Sequence, residues 1–380
     1  MVNRAERFCR LTLSAVSRTF ALNIPVLPAP LDLVVSVAYL LCRIADTIED
    51  ETEGSAAERR PLLVEFARLC ELPPEWRPAS VLFARGARRH LRPSAPSAEV
   101  RLLRGTPLVL TALSWLEPSA RQAIARCLRV MTGGMSDLMA IQPTKGRAPV
   151  RNKVAGPVES AVDGPAPKRV EGPVPSRVEG LADLDQTLTY CYYVAGVVGE
   201  MLTDLFAGFS PRVKARSAEL MARAPAFGRA LQLTNILRDA REDLDQGRCF
   251  LPRREMAKHG LTPETLLRPE LRRQAVAFFD ELIEVARRDA DVALEYALTI
   301  PPEEQGIRLF CLWPLFFSVL TLRELTGNPA VLEPTPVKIG RDAVQRVMTV
   351  TRSMVRSDEQ LRAYYHLCAS QAPDSTSPSA

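Results

Sequence analysis

The sequence lacks the features that mark secreted, membrane-spanning or metal-finger proteins. Its eight cysteines are scattered through apolar stretches, without the paired spacings of a zinc site or a disulfide scaffold, which favours a reducing cytoplasm. The start, Met1 to Leu13, contains no uninterrupted apolar run or small-residue cleavage site of an export signal. The most apolar later stretch, Leu309–Leu322, falls short of the roughly twenty residues that span a membrane. We predict that it forms a core helix.

Along the chain, basic residues are interleaved with acidic ones rather than clustered with aromatic stacking residues, and the formal net charge is a modest +5. This pattern argues against nucleic-acid binding. An anionic small substrate fits the charge, and so does an ordinary solvated surface. A Gly-rich strand-to-helix fingerprint is also missing from the sequence, so any nicotinamide site is not of the Rossmann type.

Runs of alternating β-branched residues bounded by turns are absent, whereas long segments carry apolar residues at helical spacing. The sequence therefore predicts an all-α fold, with 47% hydrophobic residues to form its core. Turn-forming residues after Gln246 and from Thr326 to Pro329 are expected to end helices. The candidate helices are Leu31–Glu53, Ser119–Met139, Asp183–Phe206, Ala226–Asp243, Arg272–Tyr296 and Leu309–Leu325.

Between Thr144 and Gly180 the sequence loses its aromatic residues and fills with Pro, Gly, Val and charged residues. We predict a low-complexity, disordered insert over residues 144–181. A linker between two domains is the alternative, but the motifs described next lie on both sides of the segment and need each other. We therefore expect one helical domain over residues 1–365 and a disordered tail over residues 366–380.

Two predicted helices each carry a narrow polar stripe. In the first, Tyr39, Arg43, Asp46 and Asp50 are spaced by four, three and four residues, which places them on one face, with Glu49 nearby. In the second, the spacings of three, four and four give one face to Gln232, Asn235, Asp239 and Asp243.

Each stripe alone could be a solvated acidic helix end, with Arg43 and Asp46 as a surface ion pair worth under about 1 kcal/mol. Two such stripes, each with a carboxylate pair one turn apart, favour a shared site. Carboxylates would repel a diphosphate unless a cation bridges them, and Mg²⁺ binds carboxylate and phosphate oxygens together. The pattern thus predicts magnesium-assisted departure of diphosphate from carbon, with arginines stabilising the leaving charge.

Five ordered motifs resemble those of the squalene/phytoene synthase family, most of all squalene synthases, over most of the chain outside the insert. Asp46-Thr-Ile-Glu-Asp50 resembles the first aspartate-rich motif. Asn235-Ile-Leu-Arg-Asp-Ala-Arg-Glu-Asp243 resembles the second. The other three are Ser17-Arg-Thr-Phe20, Tyr190-Cys-Tyr-Tyr-Val-Ala-Gly196 and Gly247-Arg-Cys-Phe-Leu-Pro252.

The resemblance implies a single-domain isoprenoid synthase helical bundle with a central cavity and the two aspartate-rich helices facing each other across its mouth. It implies a catalytic position near the carbocations for Tyr190 and Tyr39, with Tyr190 steering proton loss. The metal ligands it implies are Asp46, Glu49, Asp50, Asp239 and Asp243. The diphosphate-binding residues it implies are Ser17, Arg18, Arg43, Gln232, Asn235, Arg238 and Arg248.

Two positions depart from the family pattern. Tyr192 stands where the family often has His, and Ala240 stands where squalene synthases commonly have an aromatic residue. The second motif therefore leans toward bacterial phytoene synthases. The C-terminal third leans the other way, because Phe310-Cys-Leu-Trp-Pro314 and Pro336-Val-Lys-Ile-Gly-Arg341 resemble the squalene synthase ending. There Lys338 and Arg341 could contact the phosphates of NADPH, or could be ordinary surface cations.

From the resemblance we expect a transferase that condenses two farnesyl diphosphates through presqualene diphosphate to squalene, with Mg²⁺ and NADPH. The alternatives are a phytoene, dehydrosqualene or presqualene diphosphate synthase, and a noncatalytic prenyl-lipid-binding or assembly protein. We expect a cytoplasmic monomer with no nucleic-acid partner. A lipophilic product also suggests peripheral contact with the inner face of the membrane.

Overall fold

A computed structural model describes residues 3–53, 56–139 and 180–370 of the 380-residue chain. Within these ranges the chain is helical, and its extended pairings are two isolated β-bridges, so the all-α prediction is confirmed. The α-helices are α1 Arg4–Val16, α2 Arg18–Asn23, α3 Leu31–Glu51, α4 Ala56–Cys70, α5 Trp76–Arg88, α6 Ser97–Arg104, α7 Thr106–Leu113, α8 Pro118–Met139, α9 Leu184–Cys191, α10 Val197–Phe209, α11 Pro211–Lys214, α12 Ser217–Asp245, α13 Arg253–Lys258, α14 Arg272–Thr299, α15 Gln305–Leu325, α16 Arg341–Met354 and α17 Asp358–Ser370.

Three short 3₁₀ helices and one π-helical turn connect these elements. The 3₁₀ helices are Ile24–Val26, Pro269–Leu271 and Pro329–Leu332. The π-helical turn, Tyr192–Gly196, joins α9 to α10. Single π-helical turns are rare and are frequently found at functional sites.

The predicted helices form, with shifts at their ends. Helix α3 ends at Glu51, two residues before the predicted end at Glu53. Helix α12 begins at Ser217 rather than at the predicted Ala226, and it remains helical through Pro225. The predicted stops are confirmed. Gly247 and Gly327 adopt φ values of 75° and 64°, which favour glycine, just after α12 and α15 end.

Helix α15 is the core helix that the apolar run predicted. By length and composition alone it could cross a membrane, but 83% of its most apolar window is buried inside the protein. Its indole at Trp313 is buried and donates from Nε1 to Thr351 Oγ1 at 3.0 Å, which ties it to α16. The apolar surface of this helix is therefore buried by packing against neighbouring helices.

Helices α10 and α12 cross unusually closely. A Cβ atom at Gly228 would lie 2.1 Å from the carbonyl oxygen of Ala195, and one at Gly199 would lie 2.4 Å from that of Ala224. Only glycine fits at such distances. This contact sets the π-helical turn and α10 directly against the helix that carries the second polar stripe.

The predicted domain boundaries need two corrections. Leu181, at the end of the expected insert, is buried, and its carbonyl accepts a hydrogen bond from Arg253 N at 2.8 Å. Helix α17 reaches Ser370 and buries Cys368, so the first residues of the expected tail are helical. Apolar side chains stabilise both ends. The rest of the insert, residues 144–179, and of the tail, residues 371–380, lie outside the described residues.

Candidate active site

A cavity opens between α3, α10, α12 and α15, and the empty space within it and the open solvent next to it together amount to about 1550 Å³. Apolar side chains dominate its walls, among them Val35, Met201, Phe206, Phe227 and Phe310. The polar lining residues belong mainly to α3 and α12. The cavity thus pairs a polar end with an apolar interior, which suits an amphiphilic ligand.

Both predicted stripes face this cavity. On α3 the lining residues include Tyr39, Arg43, Asp46, Glu49 and Asp50. On α12 they include Gln232, Asn235, Asp239 and Asp243. The helical spacing correctly predicted that each set shares one face, and the fold brings the two faces to one cavity.

Arg248 joins Asp50 of the first aspartate pair to Asp243 of the second at the polar end of the cavity, which we call the mouth. Its Nη1 donates to Asp50 Oδ1 at 2.8 Å, and its Nη2 donates to Asp243 Oδ1 at 3.2 Å. The loop that follows α12 positions it, because the backbone N–H of Arg248 donates to the carbonyl of Asp243 at 2.8 Å. Burial alone would lower the pKa of the guanidinium, but Asp50 and Asp243 raise it. It therefore stays charged between the two carboxylates.

Arg43 is buried and pairs with Glu99 of α6, a residue that the sequence analysis missed. Its Nη1 lies 3.9 Å from Asp46 Oδ2. Burial would lower the pKa of Arg43, whereas Glu99, Tyr39 and Asp46 raise it. No local pattern marks Glu99, since it lies 56 residues along the chain on a short helix whose other charged residues, Arg101 and Arg104, are exposed.

Two further predicted diphosphate ligands, Arg238 and Ser17, are not among the side chains that line the cavity. Arg238 is nearly buried and donates from Nε to Asp239 Oδ1 at 2.8 Å. Ser17 is buried and caps α2 by accepting from Phe20 N at 3.1 Å. Arg18 is the first residue of α2, but its side chain lies outside the described part of the structure.

The two predicted catalytic tyrosines are both held against aromatic rings. Tyr190 stacks on Phe250 with 4.7 Å between ring centroids and 14° between planes, and Tyr39 packs on Phe20 at the same centroid distance. Burial raises the pKa of Tyr39 to about 12 and that of Tyr190 well above its usual value. Both phenols therefore stay protonated beside the carboxylates.

The carboxylates at the mouth are crowded and shielded from water. Burial, opposed by Arg43 and reinforced by Asp50, raises the pKa of Asp46 to about 7. Burial likewise raises the pKa of Asp243 to about 7, and burial with Asp50 and Asp46 raises that of Glu49 to about 8. A bound cation would relieve this crowding.

The donor set fits magnesium. Among the described side chains, no three His, Cys, Asp or Glu residues already form a closed metal cage. Mg²⁺ needs no such cage, because it keeps waters and binds through one or two carboxylates plus substrate phosphates. Asp46 and Asp50 on one helix, with Asp239 and Asp243 on the other, supply oxygen ligands of that kind.

Lys338 and Arg341 lie apart from the cavity lining, and both are exposed. Their segment begins beside α12, since Arg241 Nη1 donates to the carbonyl of Leu332 at 3.2 Å. Arg341 is the first residue of α16. The fold thus places the segment near the helix of the second stripe without bringing either cation into the cavity.

Known proteins with similar sequences point to one family. The model of the squalene/phytoene synthase family matches residues 13–353. A probable squalene synthase from Neurospora crassa is 28% identical over 363 residues, covering 94% of this chain and 65% of that protein. A squalene synthase from Botryococcus braunii is 29% identical, covering 91% and 65%. The chain thus spans just under two thirds of the length of these relatives.

A third relative and two solved structures extend the comparison. A 15-cis-phytoene synthase from Enterobacter agglomerans is 39% identical over 142 residues, covering 37% of this chain and 43% of that protein. TcSQS in complex with the ligand BPH1237 shares the fold, with a TM-score of 0.74, 22% identity and coverage of 99% and 94% of the two chains. A dehydrosqualene synthase gives a TM-score of 0.60 at 19% identity, covering 93% and 97%. The family match over residues 13–353 means that the chain belongs to the squalene/phytoene synthase family.

Proposed function

We propose that this protein condenses two molecules of farnesyl diphosphate head to head to presqualene diphosphate and reduces that intermediate with NADPH to squalene. The observation that carries the proposal is the cavity whose mouth holds two facing carboxylate pairs and whose interior is apolar. Such a cavity matches a ligand with a diphosphate head and a long hydrocarbon tail. The squalene synthases among the relatives favour squalene as the product.

The mouth binds the diphosphate heads. Magnesium, when bound by Asp46, Asp50, Asp239 and Asp243, supplies positive charge that neutralises the departing diphosphate. Arg43 and Arg248 are held in place by carboxylates, so they present preorganised donors to phosphate oxygens. Gln232 and Asn235 add neutral donors on the same face of α12.

In the first half-reaction the C1–O bond of one farnesyl diphosphate breaks, and its electron pair leaves with diphosphate. The allylic cation adds to the double bond of the second molecule, and loss of one proton closes the cyclopropane ring of presqualene diphosphate. Tyr190 and Tyr39, both protonated, line the cavity where they can orient that proton loss. The apolar walls exclude water, which would otherwise capture the cation.

In the second half-reaction the C–O bond of presqualene diphosphate breaks, and the rearranged cation gains a hydride from NADPH. The products are squalene, diphosphate and NADP⁺. Lys338 and Arg341 are exposed and lie outside the cavity lining. Their proposed role is therefore limited to binding the phosphates of NADPH.

A phytoene or dehydrosqualene synthase is the second candidate. It is favoured by the 39% identity with a phytoene synthase over 142 residues and by Ala240 in the second motif. A presqualene diphosphate synthase would perform the first half-reaction alone. A noncatalytic prenyl-lipid-binding or assembly protein would keep the cavity but not need two intact carboxylate pairs.

Product identification tests these candidates. The protein is incubated with farnesyl or geranylgeranyl diphosphate and Mg²⁺, with and without NADPH, and the extracted products are identified by mass spectrometry. From farnesyl diphosphate we expect presqualene diphosphate or dehydrosqualene-like products without NADPH, and squalene with it. Phytoene from geranylgeranyl diphosphate would overturn the squalene assignment, and no metal-dependent release of diphosphate would overturn the enzyme assignment.

A further inference from the structure

The outward face of α5 differs in charge from the rest of the protein. Residues 76–104 contain seven arginines and a single acidic residue, Glu99, whereas the whole chain carries a formal net charge of only +5. Glu99 is buried and pairs with Arg43, so it does not neutralise the surface. The exposed charged side chains of this stretch are therefore all arginines, and His90 is its one histidine.

Helix α5 separates an apolar buried face from an exposed one. Trp76, Phe83 and Ala87 are buried, and Phe83 stacks on Phe66 of α4 at 5.8 Å, which anchors the helix. The opposite side is exposed, and we call it the arginine face: it consists of Arg77, Val81, Leu82, Arg85, Arg88 and Arg89.

Two properties distinguish the arginine face from an ordinary solvated helix face. Arg85, Arg88 and Arg89 form no ion pair with any side chain that the structure describes, whereas Arg68 on the adjacent α4 pairs with Glu65 and Glu75. Among these arginines lie Val81 and Leu82, which are 38% and 68% exposed. Apolar side chains surrounded by unpaired arginines are suited to the interface of an anionic bilayer.

The arginine face also adjoins the mouth of the cavity. The loop directly after it is bonded to the end of α3: Glu53 N donates to the carbonyl of His90 at 2.7 Å, and Arg92 N donates to the carbonyl of Glu51 at 2.8 Å. Glu51 follows Asp50, which lines the cavity mouth. A surface that the arginine face contacts would therefore lie close to the diphosphate end of the cavity.

We propose that the arginine face docks this protein on an anionic phospholipid bilayer with the cavity mouth near the membrane surface. The expected benefit of membrane binding rests on the proposed function, because prenyl diphosphates and their hydrocarbon products partition into bilayers. The attraction between the arginine face and an anionic bilayer does not depend on that function. A nucleic acid is a poorer fit, since Val81 and Leu82 offer no aromatic ring for base stacking.

Vesicle sedimentation tests the proposal without substrate, so its result is independent of the enzyme assignment. The full chain is mixed with vesicles of pure phosphatidylcholine or of phosphatidylcholine containing phosphatidylglycerol, at low and high salt. We expect binding to the anionic vesicles only, weakened by salt. Each arginine near an anionic surface contributes about fivefold in partitioning, so R85Q/R88Q/R89Q should lose about 100-fold.

Two further variants separate a bilayer site from general charge attraction. The control variant R68Q/R126Q/R129Q lacks three exposed arginines that lie outside the arginine face and form ion pairs with acidic side chains. This variant should bind vesicles within about threefold of wild type. Leu82→Gln keeps the charge and should lose about tenfold if the side chain inserts. No binding to anionic vesicles, equal losses in both triple variants, or an unaffected Leu82→Gln would each overturn the proposal. In the last case a soluble polyanion such as heparin should bind with the same dependence on the arginines.

Discussion

Glu99 on the short helix α6 accepts a hydrogen bond from the buried guanidinium of Arg43 on α3. The pair holds a diphosphate-binding candidate in position before any ligand arrives. It also ties the helix of the first aspartate pair to the α5–α6 region. Breaking the pair should therefore affect both stability and the site.

Replacing Glu99 with Ala is expected to lower the free energy of unfolding by about 3–5 kcal/mol, because Arg43 loses the carboxylate that neutralises it in a buried position. Glu99→Gln should lower it by about 1–3 kcal/mol, since an acceptor remains. Urea unfolding followed by circular dichroism measures both. The control is Glu65→Ala, whose exposed pair with Arg68 should contribute little to stability. Equal losses for Glu99→Ala and Glu65→Ala would contradict the prediction.

Asp46→Asn and Asp239→Asn are each expected to reduce turnover by about 100-fold or more at saturating Mg²⁺, because each removes a charged ligand from one helix of the mouth. The unfolding free energy should stay within about 1 kcal/mol of wild type, because Asn keeps the volume of the side chain and removes one charge from a crowded carboxylate cluster. Release of diphosphate from farnesyl diphosphate is the measurement. Asp137→Asn, at an exposed position on α8, is the control. Near-normal turnover in either variant would remove the metal role from that helix.

Much of this site could be predicted from local spacing. The four-three-four and three-four-four patterns placed eight polar side chains on two helix faces, and both faces line the cavity. Local spacing cannot report pairs between distant segments. The Arg43–Glu99 pair and the bridge from Arg248 to Asp50, 198 residues away, depend on how the helices pack.

The structure departs from the predicted helices at two further places. Helix α12 begins at Ser217, nine residues before the predicted start at Ala226, and it continues through Pro225 although proline usually interrupts a helix. The close packing at Gly199 and Gly228 supports that segment. The π-helical turn at Tyr192–Gly196 likewise leaves no periodic signature in the sequence, because it shifts the register by a single residue.

Arg248→Gln should change metal and diphosphate binding in opposite directions. Asp50 and Asp243 lose a shared counter-charge, so the ligand-free protein should bind Mg²⁺ about tenfold more tightly. Inorganic diphosphate in the presence of Mg²⁺ should bind about tenfold more weakly, because one charged donor is gone. Isothermal titration calorimetry measures both affinities, with the exposed Arg253→Gln as control. A parallel loss of both affinities would indicate that Arg248 only maintains the fold of the mouth.

Deleting residues 149–179 is expected to leave turnover within about twofold of wild type, because this sequence lacks the apolar residues that would offset the entropy of ordering it. The same stretch should be the first site of limited proteolysis, as mass spectrometry of the fragments would establish. Protection from protease, or a deletion variant that misfolds, would show that the segment packs on the helical domain.

The last prediction separates the two half-reactions through Lys338 and Arg341. Replacing both with Ala should raise the KM for NADPH about tenfold or more, because two cationic contacts to its phosphates would be lost. The rate of presqualene diphosphate formation should not change, since neither residue lines the cavity. The control is Lys258→Ala with Arg268→Ala, an exposed pair of the same composition. An unchanged KM for NADPH in the double variant would make Lys338 and Arg341 ordinary surface cations. A wild-type product spectrum that is identical with and without NADPH would remove the reductive step from this protein while leaving its membership of the family intact.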